Sequence, residues 1–196
     1  KEALGLPVWL ENDVRSCLIG EKARRGLSDE TDTAYLMVGT GIGVAATVGG
    51  RMMRGFSSRS GEIERVPINP GMECQTTLHR HLTEASLIER ARKYDPQVDS
   101  VCSIAMNIRQ PWAQELVADF KKYLNFIIQM VDGICNPYSI ILGGTIIPQL
   151  APYIKDALPA GRVIIGENYE DACVTGAAMV AIRGGIQALI NEQIEI

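Results

Sequence analysis

The stretch TAYLMVGTGIGVAATV, residues 33–48, places a glycine-rich turn between two β-rich runs. The runs at 33–38 and 44–48 predict strands, because β-branched and aromatic side chains suit a pleated sheet. In the turn, Gly39, Gly41 and Gly43 alternate with Thr40 and Ile42. Without Cβ atoms in the way, its backbone N–H groups can face an anion, typically phosphate. A plain hairpin would show the same pattern, so the turn alone leaves both interpretations open.

The turn does not fit either of two common phosphate-binding motifs. No Lys follows it, as the Gly-x4-Gly-Lys-Ser/Thr loop requires. The dinucleotide motif Gly-x-Gly-x-x-Gly would need a glycine at Val44. The phosphate hypothesis therefore depends on other motifs in the chain.

Composition excludes several classes of protein. With 196 residues, 46% hydrophobic and 21% charged, the chain has the make-up of a soluble globular protein with a real core. Its net charge of −4 gives no electrostatic footprint for nucleic acid. The apolar stretch 126–134 is too short to span a bilayer, so we expect no membrane partner. The scattered cysteines lack metal or redox spacing, which favours reduced thiols and a cytoplasmic location: Cys17, Cys74, Cys102, Cys135 and Cys173.

Periodicity predicts a strand meander followed by alternating helices and strands, which indicates an α/β fold. Gly49 and Gly50 form a predicted hairpin turn, and residues 55–71 a loop. The predicted strands are residues 8–10, 33–38, 44–48, 51–54, 139–142 and 162–165. The predicted helices are residues 13–25, 83–93, 112–135, 148–158 and 172–190.

Six motifs carry a family resemblance. They are LGLPVWLEND (4–13), GTGIG (39–43), GGRMMRG (49–55), SGEI (60–63), NPYSIILGG (136–144) and GAA (176–178). Together they resemble the ROK family of sugar kinases and sugar-responsive repressors. The resemblance implies an actin-like, ribonuclease-H-like ATPase fold, with a mixed sheet flanked by helices.

The resemblance also implies a domain organisation. Complete members begin with a strand carrying Asp-x-Gly-Gly-Thr, which is absent here. We therefore expect the C-terminal two-thirds of a member, without the N-terminal phosphate-binding strands. Residues 1–180 would form the larger C-terminal domain, and 181–196 a final helix returning toward the N-terminal domain.

The resemblance assigns roles to residues at the start of the first helix and beyond. Asp13 matches the catalytic base, while Asn12 and Glu62 match residues that bind sugar hydroxyls. Glu84 lies one residue beyond the register of a further sugar ligand. From the residues alone, Asn12 or Asp13 could instead cap the helix.

The glycines match nucleotide contacts of the family. Gly39, Thr40 and Gly41 match its second phosphate loop. Gly143 and Gly144 match the turn near the nucleotide base and ribose, although a plain turn after a strand is the alternative.

The chain departs from the family at its zinc loop. Members continue Gly-Glu-Ile-Gly-His, whereas residues 61–65 read GEIER, so Arg65 replaces the histidine. The Cys-x-Cys-x4-Cys loop aligns with Cys74, Thr76 and His81, and His79 is a candidate third ligand. Because so few ligands remain, we expect no bound zinc.

Two functions follow from the resemblance. The first is an ATP-dependent sugar kinase, glucokinase-like or N-acetylhexosamine kinase-like, with Mg²⁺ carried by the nucleotide. This chain alone would be inactive. The second is the non-catalytic sugar-sensing domain of a transcriptional repressor, which would bind nucleic acid only through an upstream helix-turn-helix. In both cases the expected partners are a sugar, a nucleotide for the kinase, and a second copy in a homodimer.

Overall fold

A computed structural model describes residues 5–69 and 76–194. Its strands are β1 (Thr33–Val38), β2 (Ile42–Val48), β3 (Arg51–Met52), β4 (Ser139–Gly143) and β5 (Val163–Ile165). Its helices are α1 (Asp13–Arg24), α2 (Leu78–Leu82), α3 (Glu84–Ala91), α4 (Val101–Met106), α5 (Pro111–Cys135), α6 (Ile146–Ile154) and α7 (Tyr169–Ile194), and a 3-10 turn, Lys155–Ala157, follows α6.

The strands form one mixed sheet in the order β3-β2-β1-β4-β5. The first three strands pair antiparallel, and β4 runs parallel to both β1 and β5. The carboxyl ends of β1, β4 and β5 therefore open at one edge of the sheet, which is where α/β proteins bind ligands.

Alternation along β1 directs side chains to two helical layers. Ala34, Leu36 and Val38 join the large core formed with α2 to α6. Tyr35 faces the other way, into a smaller core with α1 and the start of α7. Both faces of the sheet are therefore covered, as its nearly continuous apolar strands require.

Helices α1 and α7 cross at glycines. A Cβ atom on Gly20 would overlap the Ala172 carbonyl, and one on Gly176 would overlap the Ser16 carbonyl. The two backbones touch, so the GAA motif at 176–178 supplies a helix contact.

The predicted strand at residues 8–10 is wrong. Val8, Trp9 and Leu10 are 45%, 38% and 91% exposed, and no strand of the described chain pairs with them. The Trp9 indole instead lies against Gly184 of α7, where a Cβ atom would overlap it. This segment is extended along a helix and has no ladder to join.

Two short helices were not predicted. α4 has six residues and is capped by Ser100, whose hydroxyl accepts the Ser103 N–H at 3.2 Å. α2 has five residues and lies where the zinc loop was aligned. Elements of one turn bury too few side chains to show a helical period.

One helix has the length and apolar composition of a membrane span. This is the Tyr169–Asn191 part of α7, of which 6% is buried. This assignment rests on length and composition alone, and the first part of the same helix packs on α1 at Gly176.

Candidate active site

Asn12 and Asp13 stand at the start of α1. The Asn12 side-chain oxygen accepts the Arg15 N–H at 3.2 Å, so Asn12 is the N-cap of the helix. Asp13 is exposed, and within residues 5–69 and 76–194 its carboxylate accepts one hydrogen bond, from the neighbouring Val14 N–H at 2.9 Å. The cap therefore uses one atom of Asn12 and leaves the Asp13 carboxylate open to a ligand.

Glu11 ties this helix start to the loop after β3. Its buried carboxylate accepts Arg15 Nε at 2.7 Å and is also bound by the Arg54 guanidinium. Arg15 donates further to the Ser58 carbonyl at 3.1 Å. Burial alone would raise the pKa of Glu11, but the Arg54, Arg15 and Asn12 hydrogen bonds outweigh it and lower the pKa to about 2. Glu11 is thus held ionised directly beside Asn12.

The glycine turn keeps two backbone donors free. The Gly39 N–H donates to the Gly41 carbonyl at 3.0 Å, and the Ile42 N–H reaches Glu64 Oε2 at 3.3 Å. The N–H groups of Thr40 and Gly41 have no acceptor in the described part of the chain. Adjacent free amides of this kind can hold an anion.

Close packing explains why the turn is built from glycine. A Cβ atom on Gly39 would lie 2.8 Å from Thr145 Oγ1, and one on Gly41 would lie 2.8 Å from Glu64 Oε2. On Gly43 it would lie 2.9 Å from Val14 Cγ2. This last contact brings the residue next to Asp13 against the glycine turn.

The second glycine pair follows β4 at the same sheet edge. A Cβ atom on Gly143 would overlap the Tyr35 hydroxyl, and Gly144 has φ +99° and lies against the Val38 backbone. Packing against β1 therefore requires glycine at both positions. A plain turn therefore explains why both residues are glycine. A role in ligand binding depends on the open space next to them.

Glu84 joins the two glycine turns. Its N–H donates to the Gly39 carbonyl at 2.9 Å, and its carboxylate accepts the Thr145 hydroxyl at 3.2 Å. Among the predicted sugar ligands, Glu84 therefore lies beside the predicted phosphate loop.

A cleft of about 580 Å³ lies beyond β4 and β5. Gly144, Thr145 and Pro148 line one side, and residues 166–170 line the other. The Gly166 N–H donates to the Leu142 carbonyl at 2.7 Å, and Glu21 of α1 accepts the Glu167 N–H at 3.3 Å. Sequence analysis missed residues 166–170, although a glycine directly after a strand, as at 143–144, was a signal for them.

Glu62 stands apart from these contacts. Its side chain is exposed and makes no hydrogen bond or ion pair within the described residues, and Arg65 is likewise exposed. The neighbouring Gly61 is fixed to β2, since its carbonyl accepts the Val44 N–H at 3.0 Å. Glu62 is therefore a free carboxylate on an anchored loop.

The histidines of the aligned zinc loop are engaged in hydrogen bonds. His81 Nδ1 lies 2.9 Å from Asp119 Oδ2 and its Nε2 lies 3.2 Å from Thr76 Oγ1. His79 Nδ1 pairs with Glu64 Oε1 at 2.7 Å. Cys74 lies outside the described residues, and in residues 5–69 and 76–194 no three metal-ligating side chains cluster. Thr76 and Asp119 thus hold His81 in place by hydrogen bonds.

Comparison with known proteins shows which family the chain resembles. The ROK family model matches residues 1–182. The xylose repressor of Bacillus spizizenii is 24% identical over 182 residues, which cover 87% of this chain and 47% of the repressor. The bifunctional enzyme NanE/NanK of Brucella suis is 29% identical over 145 residues, or 72% of this chain and 27% of that enzyme.

A solved structure is also similar to this chain. The ROK hexokinase from Thermus thermophilus superposes with a TM-score of 0.71 at 25% identity, covering 91% of this chain and 66% of the hexokinase. The chain thus spans about half the length of the repressor and two-thirds of the hexokinase. Proteins of both kinds, kinases and repressors, are therefore among its relatives. With the family model matching nearly its whole length, the chain belongs to the ROK family and has the actin-like ATPase fold of that family's sugar kinases.

Proposed function

We propose that this chain is part of a sugar kinase that transfers the γ-phosphoryl group of ATP to a sugar hydroxyl. The observation that carries the proposal is the packing of Val14 on Gly43, which holds the exposed Asp13 next to a turn with two free amides. Phosphoryl transfer requires such an arrangement, a proton acceptor beside an anion-binding backbone.

Each residue has a definite task in this reaction. The Asp13 carboxylate accepts the proton of the attacking hydroxyl. Asn12 uses its oxygen to cap α1, which leaves its amide N–H groups for the sugar. The Thr40 and Gly41 N–H groups hold phosphate oxygens. Glu62 binds a second sugar hydroxyl.

The nucleotide fits the cleft beyond β4 and β5. Its volume of about 580 Å³ lies within the roughly 300–1,000 Å³ of small-molecule sites. Gly144 and Gly166 are among the residues that line it. ATP brings Mg²⁺ with it, and no residue of this chain is assigned to the metal.

The test is Asp13→Asn in the full-length protein. The amide keeps the shape of the carboxylate but cannot accept the proton, so kcat should fall at least about a hundredfold while sugar affinity changes little. Asp99→Asn, an exposed carboxylate before α4, is the matched control and should leave kcat unchanged. Steady-state kinetics and sugar titration give both quantities.

A sugar-sensing repressor domain is the second candidate, and Glu64 favours it. Its carboxylate lies on the Ile42 N–H and against Gly41, so a negative charge already sits at the predicted phosphate turn. If full-length protein binds a sugar without transferring phosphate, and Asp13→Asn alters only sugar affinity, the sensor is the correct function.

We also propose that the protein is a cytoplasmic homodimer, with nucleic acid a partner only through an upstream helix-turn-helix. Phe126 and Ile134 support the dimer, since they lie on one stripe of α5 and are 48% and 70% exposed. Sedimentation equilibrium should give twice the chain mass. A monomer at micromolar concentration would contradict the dimer.

A further inference from the structure

A second polar pocket lies between α2, α3 and α5, on the helical layer and away from the sheet edge. Its volume is about 150 Å³. Three basic side chains, two aromatic rings and one carboxylate line it: Arg80, Arg90, Lys93, Tyr94, Trp112 and Glu115.

The basic side chains of this pocket are incompletely neutralised. Arg90 Nη2 donates to Asp119 Oδ2 at 2.7 Å, but the same oxygen also meets His81 Nδ1 at 2.9 Å. Arg90 Nη1 is buried without a partner in the described chain. A buried charged donor left unpaired is destabilising, so this group favours an added acceptor.

Arg80 and Lys93 are two exposed cations of this pocket. Neither forms an ion pair, with Glu115 or with any other described carboxylate. Arg80 stands at a fixed helix junction, because its carbonyl accepts the hydroxyl of buried Ser86 at 2.7 Å. Within the described chain, both cations are therefore unpaired, and Glu115 is the one carboxylate among the residues that line the pocket.

The two aromatic rings of this pocket provide an apolar contact surface beside the basic side chains. The Tyr94 and Trp112 rings stack with centroids 6.2 Å apart and planes 6° apart, which presents an apolar surface next to the cations. At about 30 Å³ per water, the pocket holds roughly five water volumes, or one phosphate group and a few carbon atoms.

We propose that this pocket binds a small phosphate monoester. Its phosphate oxygens pair with Arg80 and Lys93 and approach Arg90, and its carbon atoms lie against Tyr94 and Trp112. Guanidinium and ammonium groups are the usual partners of phosphate oxygens. The proposal concerns a site apart from Asp13 and is independent of phosphoryl transfer.

The test uses Trp112 as its own reporter. The chain has two tryptophans, so Trp9→Phe leaves Trp112 as the single fluorophore. Glycerol phosphate, titrated at constant ionic strength, should change its fluorescence saturably. In Arg80→Ala/Lys93→Ala the affinity should fall at least about tenfold, because two charged hydrogen bonds are lost. Arg51→Ala/Lys155→Ala removes the same charge elsewhere and should titrate like the parent.

Several results would overturn the proposal. They are an unsaturable response, an equal response in Arg80→Ala/Lys93→Ala, or equal affinity for inorganic phosphate or malonate. Both mutated side chains are exposed, and an unchanged far-ultraviolet circular dichroism spectrum would show that the variant is folded. Asp13→Asn should leave the titration unchanged, which separates this site from the proposed kinase.

Discussion

Glu11 shows how much a single side chain organises at the proposed site. It lies in the LGLPVWLEND motif, where the family resemblance assigns roles to Asn12 and Asp13 but not to Glu11. In the fold its side chain is 4% exposed and bound by two arginines, one from α1 and one from the loop after β3. A buried carboxylate between two guanidiniums is costly to break, because the partners are left unpaired.

Glu11→Gln should therefore lower stability in a pH-dependent way. The folded pKa of about 2 lies below the ordinary 4.5, so the ionised carboxylate stabilises the fold above pH 4.5, and this is lost as pH falls toward 2. At pH 7 we expect a loss of about 3 kcal/mol in the free energy of unfolding. Urea unfolding of both proteins at pH 7, 4.5 and 3 measures it.

The gap between Glu11→Gln and the parent should narrow between pH 4.5 and 2. Glu30→Gln is the matched control, because this exposed carboxylate forms no ion pair with any residue that the structure describes, and it should cost little stability at any pH. A gap that stays constant across that window would show that Glu11 acts through packing and not through its charge.

Other residues of the site were predictable only in part. From sequence, Asn12 or Asp13 could either cap α1 or take part in the reaction. In the fold, the Asn12 side chain caps the helix, and the Asp13 carboxylate is left free. The contact of Glu64 with Ile42 joins residues 22 apart, and no local pattern encodes it. The same holds for the Asp119 carboxylate that binds His81.

Among the helices and strands, the crossing of α1 and α7 restricts most strictly which residues the sequence can have. Gly20 and Gly176 allow the helix backbones to touch. Gly176→Ala should therefore force the helices apart and lower the free energy of unfolding by about 1–3 kcal/mol, as overpacking does. Chemical unfolding followed by circular dichroism measures the change.

Gly133→Ala is the matched control for that substitution. Gly133 also lies inside a helix, but nothing stands within 4 Å of its added Cβ. Alanine there should stabilise by about 0.5–1 kcal/mol through helix propensity. Equal effects at the two positions would mean that the crossing is looser than described.

Long elements were predicted well and short ones poorly. The apolar stripe of α5 and the runs of β1, β2 and β4 bury many side chains, so their periods are visible in the chain. Helix α2 and helix α4 have one turn each and depend on contacts from distant residues. The apolar run at 8–10 shows the reverse case, since a strand-like sequence forms no strand without a neighbour.

For the whole molecule, we propose that residues 181–196 pack against a domain encoded upstream. Ile182, Ile186 and Leu189 are 55%, 53% and 63% exposed on α7. Amide hydrogen exchange over 181–191 should therefore be slower in a longer protein than in this chain, while α5 exchanges alike in both.

The same comparison bears on activity. Phosphoryl transfer needs the phosphates held from both sides, so the 196-residue chain should show no turnover above its Asp13→Asn variant.

In the hydrogen-exchange experiment, equal exchange of residues 181–191 in the longer protein and in this chain would contradict packing of an upstream domain on α7.

The backbone contact between α1 and α7 lies near the start of α1 and far from the end of α7. Beyond Gly176, α7 extends roughly 27 Å, whereas Asp13 lies only about 5 Å along α1 from the contact at Ser16, at 1.5 Å per residue. If the two helices rotate together about this contact, the displacement of an atom grows with its distance from the contact. The end of α7 would then move about five times as far as the start of α1, where Asp13 lies.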